Sequence, residues 1–335
     1  MLVGERSPGA APSGRNPLDG RSVALPVSEG MQVYEANLRA ALARTPISVL
    51  GEMRHVAGYV NDIWFFNSSV GQAVAKVRNF PEEDPEQIRT YVVTMDLLRR
   101  EDFPTPVLLW FEESCDDLDG RQLSVLEHVP GIAATEVESR SARWPGILRE
   151  FGKLVGRLHS VDLPAQTAWR DDAGAVHDDW LGVVLSSVAE AEDELEARLG
   201  DESGTVAVAA TTIRERATEL LTVIRTPRLV HRDLHLGNVL VDGPQVSAVL
   251  DFEMVREWDP AYDFVKIRNS VFAAGPGAKD TFLTGYREMA GTFNRFEERA
   301  DLYVGLHLLL TVVEYLDGNE GYRDSLPRLK MWLAY

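Results

Sequence analysis

Asp233, Asn238 and Asp251 are the residues whose types and spacing could do chemistry together. Residues 229–241, Leu-Val-His-Arg-Asp-Leu-His-Leu-Gly-Asn-Val-Leu-Val, read as a short apolar strand, a polar loop and a second apolar strand. Asp233 and Asn238 stand five positions apart in that loop. A further strand, Val249-Leu250, ends in the acid Asp251, followed by Phe252 and Glu253. The pattern H-R-D-x-x-x-x-N followed by D-F-x is that of phosphoryl transfer. Such transfer needs a base near the attacking hydroxyl and hard oxygen ligands on a cation close by. Asp233 would orient and deprotonate the hydroxyl, and Asn238 and Asp251 would hold Mg²⁺. A hairpin with incidental turn acids is the bland alternative, since Asp, Asn and Gly are ordinary turn residues. Two linked elements in the right order, flanked by apolar strands, weigh against it.

These residues need a platform, and the rest of the chain reads as one. Residues 1–28 are rich in Gly, Pro, Ser and Ala and read as a flexible tail. Residues 29–44 read as an amphipathic helix with Ser28 as N-cap. Strands are expected at 47–56, 59–66 and 72–77, a helix at 85–100, and strands at 107–111 and 123–128. After Pro130-Gly131 the pattern changes to long amphipathic helices at about 141–160, 178–199 and 205–224, with helices again from Ala261 onward. No internal repeat is visible. The order predicts an α+β, two-lobed protein-kinase-like fold: a small antiparallel-sheet N-lobe at 29–129 and a larger helical C-lobe at 130–335.

A nucleotide would sit between such lobes. Lys76 ends the apolar strand Ala73-Val74-Ala75-Lys76-Val77 and is one of only five lysines. There it would pair with nucleotide phosphates, although an edge-strand lysine also guards against aggregation. Gly58 and Asn61, in Gly58-Tyr59-Val60-Asn61, form a candidate phosphate-covering turn without a full G-x-G-x-x-G. Glu127, His128 and Val129 would be the hinge, where backbone groups can pair with an adenine edge. Asp259 before Pro260 reads as a helix N-cap, and Asp263 could bond the catalytic loop from below. His159 reads as a packed histidine, and His235 as a residue that shapes the loop.

Composition limits the partners. The chain has 335 residues, 45% apolar and 26% charged, and reads as soluble and globular. No apolar run approaches the ~20 residues that span a bilayer, and the N-terminus lacks an apolar signal segment. Cys115 is the single cysteine, which excludes an internal disulfide and a cysteine-based zinc site and fits a reducing cytoplasm. A net charge of −18 disfavours nucleic acid as partner and is compatible with a cationic small-molecule substrate. It is equally compatible with an acidic surface that serves solubility. Oligomeric state is not readable.

His231-Arg232-Asp233-Leu234-His235-Leu236-Gly237-Asn238, Leu250-Asp251-Phe252-Glu253 and Asp259-Pro260-Ala261-Tyr262-Asp263 together resemble the aminoglycoside phosphotransferase and choline kinase-like enzymes. These are small-molecule kinases with the protein-kinase fold. The resemblance covers about residues 47–270 and is supported by Phe103-Pro104-Thr105-Pro106, Glu127-His128-Val129-Pro130-Gly131 and Gly156-Arg157-Leu158-His159. It implies Asp233 as catalytic aspartate, Asn238 and Asp251 as Mg²⁺ ligands, Lys76 on the phosphates, and ATP or GTP as co-substrate. Asp251 is only eight residues from Asp259 and no A-P-E follows, so there is no room for a peptide-docking activation segment. Two positions depart from the family. The helix glutamate that pairs with the lysine should fall near Tyr91 or Val92, and neither is acidic; Asp96, a turn on, is a substitute, or something else holds Lys76. Arg232 stands where the family commonly has glycine. The implied activity is transfer to a hydroxyl of an aminoglycoside-like or other antibiotic. A metabolic kinase of an amino alcohol or sugar is the alternative, and a nucleotide-binding regulator the alternative of another class. Glu257, Asp280, Glu297, Glu298 and Glu314 are candidate acids over the helical lobe, each also readable as a solvated charge.

Overall fold

A computed structural model describes residues 35–58, 60–79, 85–163, 167–200, 203–291 and 295–334. The tail at 1–28 and the Ser28 cap lie outside them, and the first described helix is α1, Glu35–Ala43. A five-stranded antiparallel sheet follows: β1 (Val49–Ala57), β2 (Asn61–Ser68), β3 (Gly71–Arg78), β4 (Leu108–Cys115) and β5 (Arg121–Glu127). Its spatial order is β1-β2-β3-β5-β4. β2 and β3 pair from Asn61↔Arg78 to Ser68↔Gly71. Their turn closes with Ser68 Oγ donating to Gly71 O at 2.7 Å, and Gly71 takes the φ of 116° that a side chain disfavours. Trp64, Phe66, Ala73, Ala75, Val77, Leu123 and Val125 bury one face of the sheet under Leu38, Ala41 and Leu42 of α1.

The helix α2 (Pro85–Arg100) crosses between β3 and β4. Ile88, Tyr91, Met95 and Leu98 recur at helical spacing and are buried. Tyr91, Met95 and Leu98 pack into the cluster that forms the core of the helical lobe. Arg99 and Arg100 sit in the last turn, where cations complement the helix dipole.

The helical lobe is built from α3 (Trp144–Leu158), α4 (Trp180–Arg198), α5 (Ser203–Leu220), α6 (Phe264–Ser270), α7 (Ala278–Ala290), α8 (Phe296–Leu316) and α9 (Ser325–Leu333). α3 and α7 approach so closely that a Cβ at Gly152 would lie 2.1 Å from Phe282 O, and one at Gly285 2.0 Å from Arg149 O. Glycine is therefore required where the two backbones meet. Asp179 caps α4 by accepting from Gly182 N at 2.8 Å.

Short strands set the catalytic loop into this lobe. β6 (Ile132–Ala133), β10 (Val239–Asp242) and β11 (Gln245–Val249) form a three-stranded sheet in the order β11-β10-β6. β9 (Arg228–Val230) pairs with β12 (Arg256–Trp258), and β7 (Trp169–Arg170) with β8 (Val176–His177). The expected architecture, an antiparallel sheet followed by a helical lobe with a strand-loop-strand insert, is the one observed. β6, β7, β8 and β12 were not expected, because two or three residues give no readable periodicity. No helix among the described residues is long and apolar enough to cross a membrane.

Candidate functional site

The loop after β9 is held from beneath by one buried carboxylate. Asp263 Oδ2 accepts from His231 N at 3.0 Å, and Asp263 Oδ1 accepts from Arg232 N at 2.6 Å. Asp263 is fully buried, and His159 Nε2 lies 2.9 Å from its Oδ2. His159 Nδ1 in turn lies 2.9 Å from Tyr286 Oη, so this packed histidine is fixed at both nitrogens. His231 Nε2 donates to Leu250 O at 2.7 Å, and Asp233 N donates to His231 Nδ1 at 3.3 Å. Those two bonds select the neutral Nε2–H tautomer and tie the loop to the strand that ends in Asp251.

Asp233 and Asn238 meet within the loop. Asn238 Nδ2 donates to Asp233 O at 3.0 Å and to Asp233 Oδ2 at 3.1 Å. His235 Nε2 lies 3.4 Å from Oδ2, and Lys266 Nζ of α6 lies 3.5 Å from Oδ1. Burial works against the Asp233 charge, but the His235 hydrogen bond and the charges of Lys266 and His235 outweigh it. The Asp233 carboxyl is thereby held well below the usual carboxylate range.

Across the cleft, Lys76 Nζ lies 2.7 Å from Asp251 Oδ1 and 2.8 Å from Glu253 Oε1. Burial disfavours the Lys76 charge, yet the two carboxylates hold its pKa well above the ordinary lysine value. Lys76, first of all, holds Asp251 low. Glu253 is almost buried and also accepts from Asn61 Nδ2 at 2.8 Å through Oε2, while Gln87 of α2 donates to the Glu253 backbone oxygen. Glu253 thus occupies the electrostatic place of the missing helix glutamate. Asp96 does not: it is half-exposed and pairs with Arg99 and Arg100 of its own helix. Tyr91, at the position where that glutamate was sought, packs beside Lys76 with its hydroxyl near Ser124. The missing glutamate was the only ground for reading the chain as a regulator, and Glu253 removes that ground.

A cleft of about 590 Å³ joins these parts. Val74, Lys76 and Tyr91 line it from the sheet side, Glu127 and Val129 from the hinge, and Asn238, Leu240 and Asp251 from below. Glu127 N is engaged with Val107 O at 2.9 Å, whereas Val129 N has no partner among the described residues. Asp233 lies just beyond the lining, beside Asn238. Gly58 and Asn61 lie outside it as well. A Cβ at Gly58 would stand 2.5 Å from Asn61 O, so glycine serves the tight β1–β2 turn. The Asn61 amide, which the sequence suggested for the nucleotide, is instead turned onto Glu253. Tyr59 of that turn lies outside the described residues.

Two residues escaped the sequence reading. Glu253 had a signal, an acid where protein kinases have glycine, but nothing in the sequence assigned it a role of its own. Lys266 shared the rarity that singled out Lys76.

None of the candidate acids over the helical lobe forms an ion pair or hydrogen bond with Asp233 or its partners among the described residues. Glu297 lies 3.1 Å from Lys279, Glu298 pairs with Arg295 at 2.5 Å, and Asp280 and Glu314 are exposed. Glu257 lies among Arg256, Glu86 and Arg170, and burial raises its pKa.

Residues 53–303 match the model of the phosphotransferase enzyme family. Homoserine kinase of Pseudomonas aeruginosa (strain UCBPP-PA14) is 26% identical over 250 residues, 73% of this chain and 72% of that one. Among solved structures, a thermostable mutant of aminoglycoside phosphotransferase APH(4)-Ia in ternary complex with ADP and hygromycin B shares the fold at a TM-score of 0.63. It is 17% identical and covers 86% of this chain and 94% of that one. Macrolide 2'-phosphotransferase MphH from Brachybacterium faecium does so at a TM-score of 0.58 and 19% identity, covering 86% and 96%.

Proposed function

The chain belongs to the phosphotransferase enzyme family, and we propose that this small-molecule kinase moves the γ-phosphate of ATP or GTP to a hydroxyl of its acceptor, with Asp233 as base. The observation that carries the reading is the junction of Lys76 and Asp251 at 2.7 Å, 175 residues apart, over a cleft that also holds Asn238 and the hinge. ADP in the APH(4)-Ia complex supports a nucleotide co-substrate.

In this reading the sheet lobe, 29–129, carries the nucleotide and the helical lobe, 130–335, the acceptor. Val129 N and the Glu127 carbonyl face an adenine edge, and Lys76 meets the phosphates. Asn238 and Asp251 fit Mg²⁺. The Asn238 amide is pinned through Nδ2, which leaves its oxygen as the free end. Asp251 keeps Oδ2 unengaged among the described residues. No cluster of three or more His, Cys, Asp or Glu side chains among the described residues could cage a metal alone. One carboxylate and one amide suit a cation shared with phosphates. When bound, Mg²⁺ would screen charge on the transferring group. Asp233 orients the hydroxyl and takes its proton late, since the transition state is largely dissociative. Its depressed pKa makes it a weak base, so positioning carries much of its effect.

For the acceptor, an aminoglycoside-like or other antibiotic is the reading the sequence suggests, and Cys115, free and buried, is in keeping with a cytoplasmic site of action. The homoserine kinase relative favours a second reading, a small hydroxylated metabolite of the amino-acid type. Asp233→Asn tests the common core of both. It keeps shape and loses the proton acceptor, so turnover falls roughly 10²–10⁴-fold. Nucleotide affinity by calorimetry stays unchanged. Transfer at the parental rate would remove Asp233 as base.

A further inference from the structure

Lys266 is a cation placed where a cationic acceptor would not want one. It sits on α6 with its ammonium 3.5 Å from Asp233 Oδ1 and its side chain 32% exposed. That separation is too long for a hydrogen bond, and no other partner meets Lys266 among the described residues. All of its N–H donors are free to take a ligand at the point where the acceptor hydroxyl must arrive. Of the groups around it, one is neutral, one cation is offset and one is not. His307 of α8 is half-buried and lies within the field of Lys266, Arg232 and Arg328; burial first, then those charges, push its pKa down to about 3, so it stands there neutral. Arg328 of α9 has no side-chain partner among the described residues. Arg232 is offset by Asp172 at 2.6 Å.

Carboxylates near Asp233 are already engaged. Asp251 holds Lys76, Asp263 holds the loop backbone, and Asp172 holds Arg232. None of the five acids that could have met a polycation is bonded to Asp233 or Lys266 among the described residues. Against Lys266 alone, a positive group brought within about 4 Å would meet a repulsion of about 1 kcal/mol in water and about 4 kcal/mol at the dielectric of a partly buried site, and a negative group would gain as much; the Asp233 carboxylate, 3.5 Å from the ammonium, reduces both.

We propose that the acceptor carries a carboxylate, which Lys266 binds while the acceptor hydroxyl docks on Asp233. The site is then specific for hydroxylated carboxylates, and Lys266 is its specificity-determining residue. The inference rests on the phosphotransfer reading, because it takes Asp233 as the place where the hydroxyl binds. The other oxyanion within reach of Lys266 is the phosphoryl group in transit, and the test separates the two.

The experiment is binding by calorimetry in the presence of ADP and Mg²⁺. The probes are L-homoserine, L-serine and D-glycerate, each paired with its amide, with hygromycin B as the polycation. At least one carboxylate binds roughly 10–100-fold tighter than its amide, the worth of one charge-assisted hydrogen bond. Lys266→Gln abolishes that preference, and Lys266→Arg retains it; both variants are checked for parental melting. Three results overturn the proposal. No carboxylate outbinds its amide; hygromycin B binds more tightly than all three acids; or Lys266→Gln keeps the carboxylate preference and instead weakens AMP-PNP, which would assign the lysine to the phosphoryl group. Carboxylate-selective binding without phosphate transfer to any acceptor would sink the phosphotransfer reading and leave the acceptor class standing.

Discussion

Replacing Glu253 by Gln is the sharpest test of how the cleft is organised. The glutamate side chain is 9% exposed and the lysine it meets 16%. One carboxylate oxygen takes Lys76 Nζ at 2.8 Å and the other takes Asn61 Nδ2 at 2.8 Å. Glutamine has the same size but one acceptor oxygen. If that oxygen keeps Asn61, its NH₂ faces the ammonium, donor against donor; if it keeps Lys76, Asn61 loses its acceptor. One bond must go, and the remaining one loses its charge. Breaking a buried ion pair can cost about 3–5 kcal/mol, but Lys76 keeps Asp251 at 2.7 Å. The loss should therefore be that of one charge-assisted bond, about 1.5–3 kcal/mol. At 1.4 kcal/mol per decade this is a roughly 10–100-fold weaker nucleotide affinity. Lys76 then leans wholly on the carboxylate proposed for Mg²⁺, so turnover falls as well. Calorimetry with AMP-PNP reads the affinity. A cycle with Lys76→Met should show coupling of similar size, while Asp96→Ala stays within about ±0.5 kcal/mol, as exposed substitutions do. Unchanged affinity in a folded Glu253→Gln variant, or additive effects in the cycle, would refute the assignment of Glu253 as the residue that positions Lys76.

Two further outcomes follow from the loop. Asp263→Ala leaves the buried His231 and Arg232 amides and His159 without their shared acceptor, so urea melts should show a loss of about 3–5 kcal/mol; a loss under about 1 kcal/mol would mean the loop does not depend on it. Asp233 has a folded pKa below its unfolded value of ~3.9, so its stabilising share is complete above that pH and disappears as pH falls through the folded value. The stability difference between the parent and Asp233→Asn should thus be flat from about pH 5 to 8, and a difference that already shrinks between pH 7 and 5 would contradict the depressed pKa.

What could be read from the chain was local. α2 was legible because Ile88, Tyr91, Met95 and Leu98 follow helical spacing and Pro85 and Arg100 mark its ends. The catalytic loop was legible because Asp233 and Asn238 lie five residues apart between two apolar strands, so one short segment contains both the residues and their platform. The partner of Lys76 was not legible, because the residues concerned are 177 apart and nothing local links them. Asp96 was the natural guess within one helix, but helical geometry set it beside Arg99 and Arg100, three and four positions on, where oppositely charged side chains meet. The acids on α7 and α8 could not be assigned for a related reason. Periodicity shows which face of a helix is polar but not which cleft that face borders.

Arg232 shows how a departure from a family pattern can be structural. Its φ of 71° is the left-handed conformation that glycine adopts freely and that costs an arginine about 1–2 kcal/mol. The arginine brings compensations glycine cannot. Its guanidinium lies 4.2 Å from the Trp258 ring centroid and reaches Asp172 at 2.6 Å, in the turn between β7 and β8. Trp258 Nε1 donates to Arg170 O at 2.8 Å, so the same tryptophan ties that hairpin to β12. Asp263, accepting from Arg232 N, fixes the backbone that the side chain anchors from the other side. Asp251 is also left-handed, at φ 71°, but aspartate tolerates that region better. The proposed base thus follows one left-handed residue, and a proposed metal ligand is itself another. Each is held by bonds to elements far along the chain: Asp263 and Asp172 for the first, Lys76 for the second. Strain of this kind persists only where the surroundings over-determine it, and here the surroundings are the parts that the sequence alone could not join.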